Sequence, residues 1–197
     1  MKNDIILSGV GGQGILSIAA VIGLAAVKDN LFLKQAEVHG MSQRGGDVQS
    51  HFRLSDKPVS SDLIPEGKAD IIISVEPMES IRYLPWLSPD GWIITNSAPF
   101  VNISDYPPVE SIYDEIRKID NHLLIDAELI AKNSGSVKAV NMVMLGAASP
   151  FININSEFLE KAVEEMFFKK GEKIVEININ AFRAGRMFAA ESGKIKI

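Results

Sequence analysis

The chain has 197 residues, 46% of them hydrophobic and 23% charged, and its net charge is −5. This composition is typical of one globular domain over residues 1–197 and excludes a disordered chain. An acidic balance disfavours a nucleic-acid-binding surface, which is usually basic. No apolar run is long enough to span a bilayer. We therefore expect a cytoplasmic protein with neither nucleic acid nor membrane as a partner.

The sequence contains no cysteine and three histidines. Without thiols this chain alone has no disulfide, no thiolate nucleophile, no cysteine-held zinc and no iron–sulfur cluster. His39, His51 and His122 lack metal-ligand spacing, so we expect no metal site. No acid–base or nucleophile–base pair stands at an informative spacing either, so no catalytic residue is assigned.

In the first half of the chain, short apolar strands alternate with helices. The apolar run 5–8 predicts a buried strand, a glycine cluster follows it, and small apolar residues predict a helix over 15–28. Further strands are predicted over 31–38, 47–54 and 69–75.

The middle of the chain continues the alternation. We predict a helix over 76–84, a turn at 88–91, a strand over 92–95, and a strand over 122–125 that Asp126 follows as the N-cap of a helix to Lys132. Residues 102–109, with two prolines, predict an ordered surface loop.

The C-terminal third is predicted to be helical. One helix covers 136–148, and a second is capped by Asn155 or Ser156 and stops at 169–171. In the last helix, Ala181, Gly185 and Ala189 form a smooth ridge that would pack against the sheet or another subunit. The repeated strand–helix–strand order predicts a doubly wound α/β fold with a Rossmann-like, mostly parallel sheet and helices on both faces.

The glycine cluster between the first strand and helix has the G-x-G-x-x-G spacing of dinucleotide-binding loops. Glycines permit a tight turn and a close backbone approach to an anion at a helix N-terminus. Glu37, near the end of the second strand, stands where a ribose-binding carboxylate would. The same cluster also suits a tight turn that binds nothing. The candidate ligand-binding residues are Gly9, Gly11, Gly12, Gln13 and Gly14.

A second polar, glycine-punctuated segment follows the second strand, where α/β folds place ligand crevices. Arg44, beside two glycines, would present its planar fork to a phosphate or carboxylate. The other interpretation is that these residues only stabilise a surface loop and bind no ligand. The candidate substrate-contact or subunit-contact residues are His39, Ser42, Gln43, Arg44, Gly45 and Gly46.

These two segments, together with 63–67 and 69–70, 76–79 and 141–147, resemble the gamma-type domain of 2-oxoacid:ferredoxin oxidoreductases over roughly residues 3–190. The segment His39–Gly46 is most similar to the branch of that family that acts on indolepyruvate.

The resemblance implies a small subunit of an enzyme that decarboxylates aryl-pyruvates to acyl-CoA and reduces ferredoxin. It also implies that thiamine diphosphate and iron–sulfur clusters belong to a large alpha subunit, that CoA is the co-substrate, and that this chain binds no cofactor alone. The sequence agrees, because the one Gly-Asp pair, Gly46-Asp47, lacks the following glycine of a thiamine diphosphate motif.

Under this hypothesis the two glycine-rich loops lie at one sheet edge and complete a pocket for CoA phosphates or the substrate carboxylate. A pure subunit-interface role for the same loops stays open. A stand-alone dinucleotide-binding module is the alternative from another class, and a free-standing dehydrogenase is weaker because it lacks an acid–base pair.

Overall fold

The computed structural model describes residues 1–39 and 46–193, except the side chain of His39. The strands are β1 (Lys2–Val10), β2 (Phe32–His39), β3 (Asp47–Ser55), β4 (Ala69–Ser74), β5 (Leu87–Asn96) and β6 (His122–Ile125). The helices are α1 (Ile15–Lys28), α2 (Pro77–Arg82), α3 (Val109–Arg117), α4 (Ala127–Asn133), α5 (Val140–Ala148), α6 (Ser156–Phe167) and α7 (Glu172–Glu191).

The strands form one mixed sheet in the order β2-β3-β1-β4-β5-β6. β1, β4, β5 and β6 pair in parallel, whereas β3 is antiparallel to both β1 and β2. The connection 40–46 is too short for the crossover that parallel neighbours need, so β2 and β3 pair as antiparallel strands. The predicted mostly parallel α/β sheet is confirmed, with an antiparallel end that the strand–helix alternation did not predict.

Alternate residues of the central strands enter two cores. Ile5 and Leu7 of β1 face the larger core, which includes residues of α1, α4, α5, α6 and α7, whereas Ile6 faces a smaller core that Tyr83 closes at the end of α2. Both faces of the sheet are therefore covered, which explains why β1 is apolar without alternation.

One local prediction is wrong. Residues 88–91 have turn chemistry but lie inside β5, where Ala69 pairs with Leu87 and Ile71 pairs with Trp92. The extra residues of β5 bulge out between these pairs. A Cβ on Gly91 would lie 2.9 Å from the Ala69 carbonyl oxygen. Glycine at this position therefore lets β4 and β5 approach closely and does not reverse the chain.

The small-residue ridge of α7 packs against α5 and not against the sheet, which is one of its two predicted positions. A Cβ on Gly185 would lie 2.0 Å from the Val143 carbonyl oxygen, and one on Gly146 of α5 would lie 1.9 Å from the Phe182 carbonyl oxygen. The backbones of α5 and α7 thus touch directly. Helix α3 was not predicted, although Ile112 and Ile116 are buried at helical spacing.

Candidate functional site

The glycine-rich turn between β1 and α1 is closed by hydrogen bonds within itself. The Val10 N–H donates to Gln13 Oε1 at 2.8 Å, and the Gln13 N–H donates to the Val10 carbonyl at 3.1 Å. A Cβ on Gly9 would lie 2.9 Å from the same Oε1, so the Gln13 side chain fills the space that Gly9 leaves. Gln13 therefore shapes the turn through its side-chain oxygen.

Gly14 begins α1 in the left-handed region, with φ +81°. A Cβ there would lie 2.7 Å from Asn141 Nδ2, so glycine is required twice, for its backbone angle and for space. Asn141 donates Nδ2 to the Gly14 carbonyl at 3.4 Å and accepts the Met142 N–H at 3.0 Å on Oδ1. Sequence reasoning gave Asn141 no individual role, and the structure shows that it joins α5 to the glycine turn. By contrast Gly12, with φ +100°, faces open space.

The strand order does not suit a dinucleotide site. In dinucleotide-binding folds the second strand lies directly beside the first, whereas here β3 separates β2 from β1. Glu37 pairs across with Ser50 of β3, which pairs with Leu7 of β1. Two strand spacings place the Glu37 backbone about 10 Å from β1. The ribose-binding role of Glu37 and the stand-alone dinucleotide-binding alternative are therefore not supported.

Gly46, the described end of the second glycine-rich segment, lies beside the glycine turn, as the predicted shared sheet edge requires. The Gly11 N–H donates to the Gly46 carbonyl at 2.8 Å, so the end of the second segment is hydrogen-bonded to the turn after β1. His39 ends β2 and pairs with Val48 of β3, so its backbone lies at the same edge of the sheet as Gly46. Ser42, Gln43, Arg44 and Gly45 lie outside the described residues, and their contact roles stay predictions.

Glu76 is a functional candidate that the sequence analysis passed over. Its side chain is fully buried after β4 and caps α2, where Oε2 accepts the Glu79 N–H at 2.8 Å. Oε1 accepts the Phe100 N–H at 3.2 Å and the Tyr106 hydroxyl. Burial raises the pKa of Tyr106, and its bond to Glu76 adds to that rise. One carboxylate thus fixes the loop after β5 against the start of α2.

Beside it, Glu79 and Arg82 form a bidentate ion pair on α2. Arg82 Nε lies 2.8 Å from Glu79 Oε2, and Nη2 lies 3.2 Å from Oε1. Burial raises the pKa of the Glu79 carboxyl, Arg82 opposes that rise, and the Glu76 and Asp47 carboxylates add to it. Asp47, the first residue of β3, directly follows Gly46, so the strand that continues from the second segment begins with a charge that acts on the α2 ion pair. The signal available in the sequence was Glu-Pro-x-Glu directly after a buried strand.

Two buried polar atoms lie across the junction of β1 and β3. Ser8 pairs with Gln49 in the sheet, and Ser8 Oγ and Gln49 Oε1 are buried with no hydrogen-bond partner among the described residues. An unmet buried polar group costs about 1–3 kcal/mol. At the end of β1, the described residues therefore leave the hydrogen-bonding capacity of two buried side chains unused.

Within residues 1–39 and 46–193, no three His, Asp or Glu side chains gather as a metal site would require. None of the described helices combines the length and apolar character needed to cross a bilayer. Gln13, Glu76 and Asn141 each accept hydrogen bonds from the backbone around these strand ends or donate them to it, an arrangement that shapes a surface.

Comparison with known proteins places this geometry in a family. Residues 4–188 match the family described as pyruvate ferredoxin/flavodoxin oxidoreductase. The chain is 36% identical to the indolepyruvate oxidoreductase subunit IorB of Methanothermobacter thermautotrophicus, covering 98% of this chain and all of that protein. It is also 36% identical to the protein of the same name from Pyrococcus horikoshii, covering 95% of this chain and 96% of that one.

Solved structures share the fold. Pyruvate oxidoreductase subunit PORC from Thermotoga maritima superposes with a TM-score of 0.73 at 22% identity, over 94% of this chain and 96% of that one. The 2-oxoglutarate:ferredoxin oxidoreductase from Magnetococcus marinus gives a TM-score of 0.79 at 24% identity; 96% of this chain corresponds to 31% of that longer chain. With the family match over nearly its whole length, this chain belongs to the pyruvate ferredoxin/flavodoxin oxidoreductase family and is similar to its indolepyruvate oxidoreductase small subunits.

Proposed function

We propose that this chain is the small subunit of a cytoplasmic indolepyruvate-type oxidoreductase. With a large alpha subunit it would oxidise aryl-pyruvates to aryl-acetyl-CoA and pass the electrons to ferredoxin. The observation that carries the proposal is the 36% identity, over the full length of both proteins, to a subunit named for indolepyruvate oxidoreductase. Relatives named for 2-oxoglutarate synthase are less similar, at 30% identity.

The division of labour follows from this chain's own side chains. A chain without cysteine cannot ligate an iron–sulfur cluster through thiolates, so in this proposal the clusters belong to the large subunit. The resemblance to the family implies the same for thiamine diphosphate. This subunit contributes a rigid surface. The hydrogen bond from Gly11 to Gly46 and the Glu76 cap supply that rigidity at the carboxyl end of the parallel strands.

Within that surface, the segment His39–Gly46 and the glycine turn face the large subunit's active site. Arg44 would contact a CoA phosphate or the substrate carboxylate, because a planar guanidinium pairs with either in a bidentate manner. The junction between Gly11 and Gly46 supports this role, since it holds the base of the second segment against the turn.

The overall proposal is tested by co-expressing this chain with a large thiamine-dependent subunit encoded beside it and assaying the purified complex. We expect ferredoxin reduction that requires both CoA and an oxoacid, with indolepyruvate a better substrate than 2-oxoglutarate. A complex that prefers 2-oxoglutarate, or a chain that never co-purifies with such a partner, would contradict it.

The site proposal is tested separately by Arg44→Ala in the assembled complex. We expect the KM for CoA or oxoacid to rise by about tenfold or more, because a hydrogen bond to a charged group contributes about 1.5–3 kcal/mol. Arg183→Ala is the matched control, since Arg183 pairs with Glu160 on the α6–α7 surface. An unchanged KM with normal assembly would eliminate the ligand role, and a loss of assembly alone would favour the pure interface role.

A further inference from the structure

A concave site lies behind the glycine turn, on the face of the sheet that carries α1, α5 and α7. It has a volume of about 300 Å³ and is bounded by the first turn of α1, the chain leading into α5, and the start of α7. Asn141, which bonds to the Gly14 carbonyl, forms part of its wall. Ser17, Ser136, Lys138, Lys170 and Asn178 are among the residues that line it.

Both charged residues in this lining are lysines, Lys138 and Lys170, in a chain whose net charge is −5. Across the described ranges, neither ammonium group lies within 4.0 Å of a carboxylate oxygen, whereas Lys2, Lys28 and Lys118 do. Two cations that line one concavity make it a favourable place for an anion.

The remaining lining groups suit an oxyanion. The Ser136 hydroxyl accepts the Lys138 backbone N–H at 3.2 Å, so its own proton remains to be donated, and Ser17 adds a second hydroxyl. The Lys170 ammonium lies 5.1 Å from the centre of the Phe167 ring, a cation–π contact that holds it at the wall. Buried Asn178 donates Nδ2 to the Ile174 carbonyl at 2.7 Å and keeps the α7 side of the site in place.

We propose that this pocket binds the phosphate group of a small phosphate ester. Two lysines balance the two negative charges that a phosphate monoester carries above its second pKa of about 6, and the hydroxyls supply neutral donors. Half-buried Ile177, in the same lining, offers apolar surface to the ester's organic group. This proposal does not depend on the oxidoreductase proposal.

The test is calorimetric titration of the full chain with inorganic phosphate, adenosine 5′-monophosphate and adenosine at pH 7.5. We expect the monophosphate to bind and adenosine not to bind. Binding of inorganic phosphate as tightly as the monophosphate would identify the free ion as the ligand, and weaker binding would identify an ester; both results support a phosphate site. Binding of adenosine as tightly as its monophosphate, or no binding of either phosphate, would overturn the proposal.

Lysine variants supply the second arm of the test. Lys138→Gln and Lys170→Gln should each weaken phosphate binding by about tenfold or more, and lowering the pH from 7.5 to 5.5 should weaken binding of the monophosphate to the unaltered chain. Lys132→Gln is the matched control, because Lys132 is exposed at the end of α4 and does not line the pocket. If Lys132→Gln weakened phosphate binding as much as the two pocket variants, binding would depend on the overall charge of the surface, and the proposed site would be wrong.

Discussion

The direct backbone contact between α5 and α7 makes a sharp prediction about Gly146→Ala. A methyl group there would lie 1.9 Å from the Phe182 carbonyl oxygen and 3.1 Å from the Arg186 backbone nitrogen. Neither atom can rotate away, so the helices must separate by roughly 1.5 Å to restore van der Waals contact. That movement would disturb the fully buried Ala181 and Phe182.

The magnitude follows from two opposing contributions. Overpacking a core costs about 1–3 kcal/mol, and a clash with backbone belongs at the upper end of that range. Alanine recovers about 1 kcal/mol of helix propensity relative to glycine. We therefore expect Gly146→Ala to lower the free energy of unfolding by about 2 kcal/mol, which corresponds to roughly 4–8 °C in Tm for a chain of this size.

Gly23→Ala is the matched control, because Gly23 lies inside α1 and a Cβ there meets only Phe52 Cζ at 3.8 Å, an ordinary contact. The same substitution should raise stability by up to about 1 kcal/mol at this position. Urea unfolding of both variants measures the difference. If Gly146→Ala proved as stable as Gly23→Ala, the close helix crossing would be refuted.

Two further predictions concern the site. Gly14→Ala should cost more stability than Gly67→Ala, because both positions have positive φ but only Gly14 would clash, with Asn141; urea unfolding that ranks them equally would contradict the contact. Arg82→Gln should make stability fall more steeply as pH rises above about 4.5, where the unfolded carboxyl ionises but the buried Glu79, with its raised pKa, resists ionisation. Unfolding free energies measured from pH 4.5 to 7.5 test this, and parallel curves for the variant and the unaltered chain would contradict it.

Local sequence signals predicted the elements that local physics decides. The helix over 15–28 matches α1 residue for residue, and Asp126 and Asn155 cap α4 and α6 through side-chain bonds to Leu129 and Glu157. Small apolar residues and capping groups act within one turn of the chain, so a single sequence contains the information.

The sequence could not predict which strands and which distant side chains lie next to one another. Nothing local says that β3 lies between β1 and β2, and that insertion is what removes Glu37 from the glycine turn. The contact of Asn141 with Gly14 spans 127 positions, and the bulge at 88–91 exists only because β4 pairs beside it. The sequence did predict that the two glycine-rich loops share one edge of the sheet, because the ends of strands in α/β folds converge at such an edge. The hydrogen bond from Gly11 to Gly46 agrees with that prediction.

The central claim, that this chain works only as one part of an oxidoreductase, is tested most directly by adding it stepwise to a fixed amount of the large subunit. Ferredoxin reduction with indolepyruvate and CoA should be absent for this chain alone, rise with each addition and level off at a fixed molar ratio. Turnover of the oxoacid by this chain without the large subunit, or full activity of the large subunit before any addition, would contradict the account.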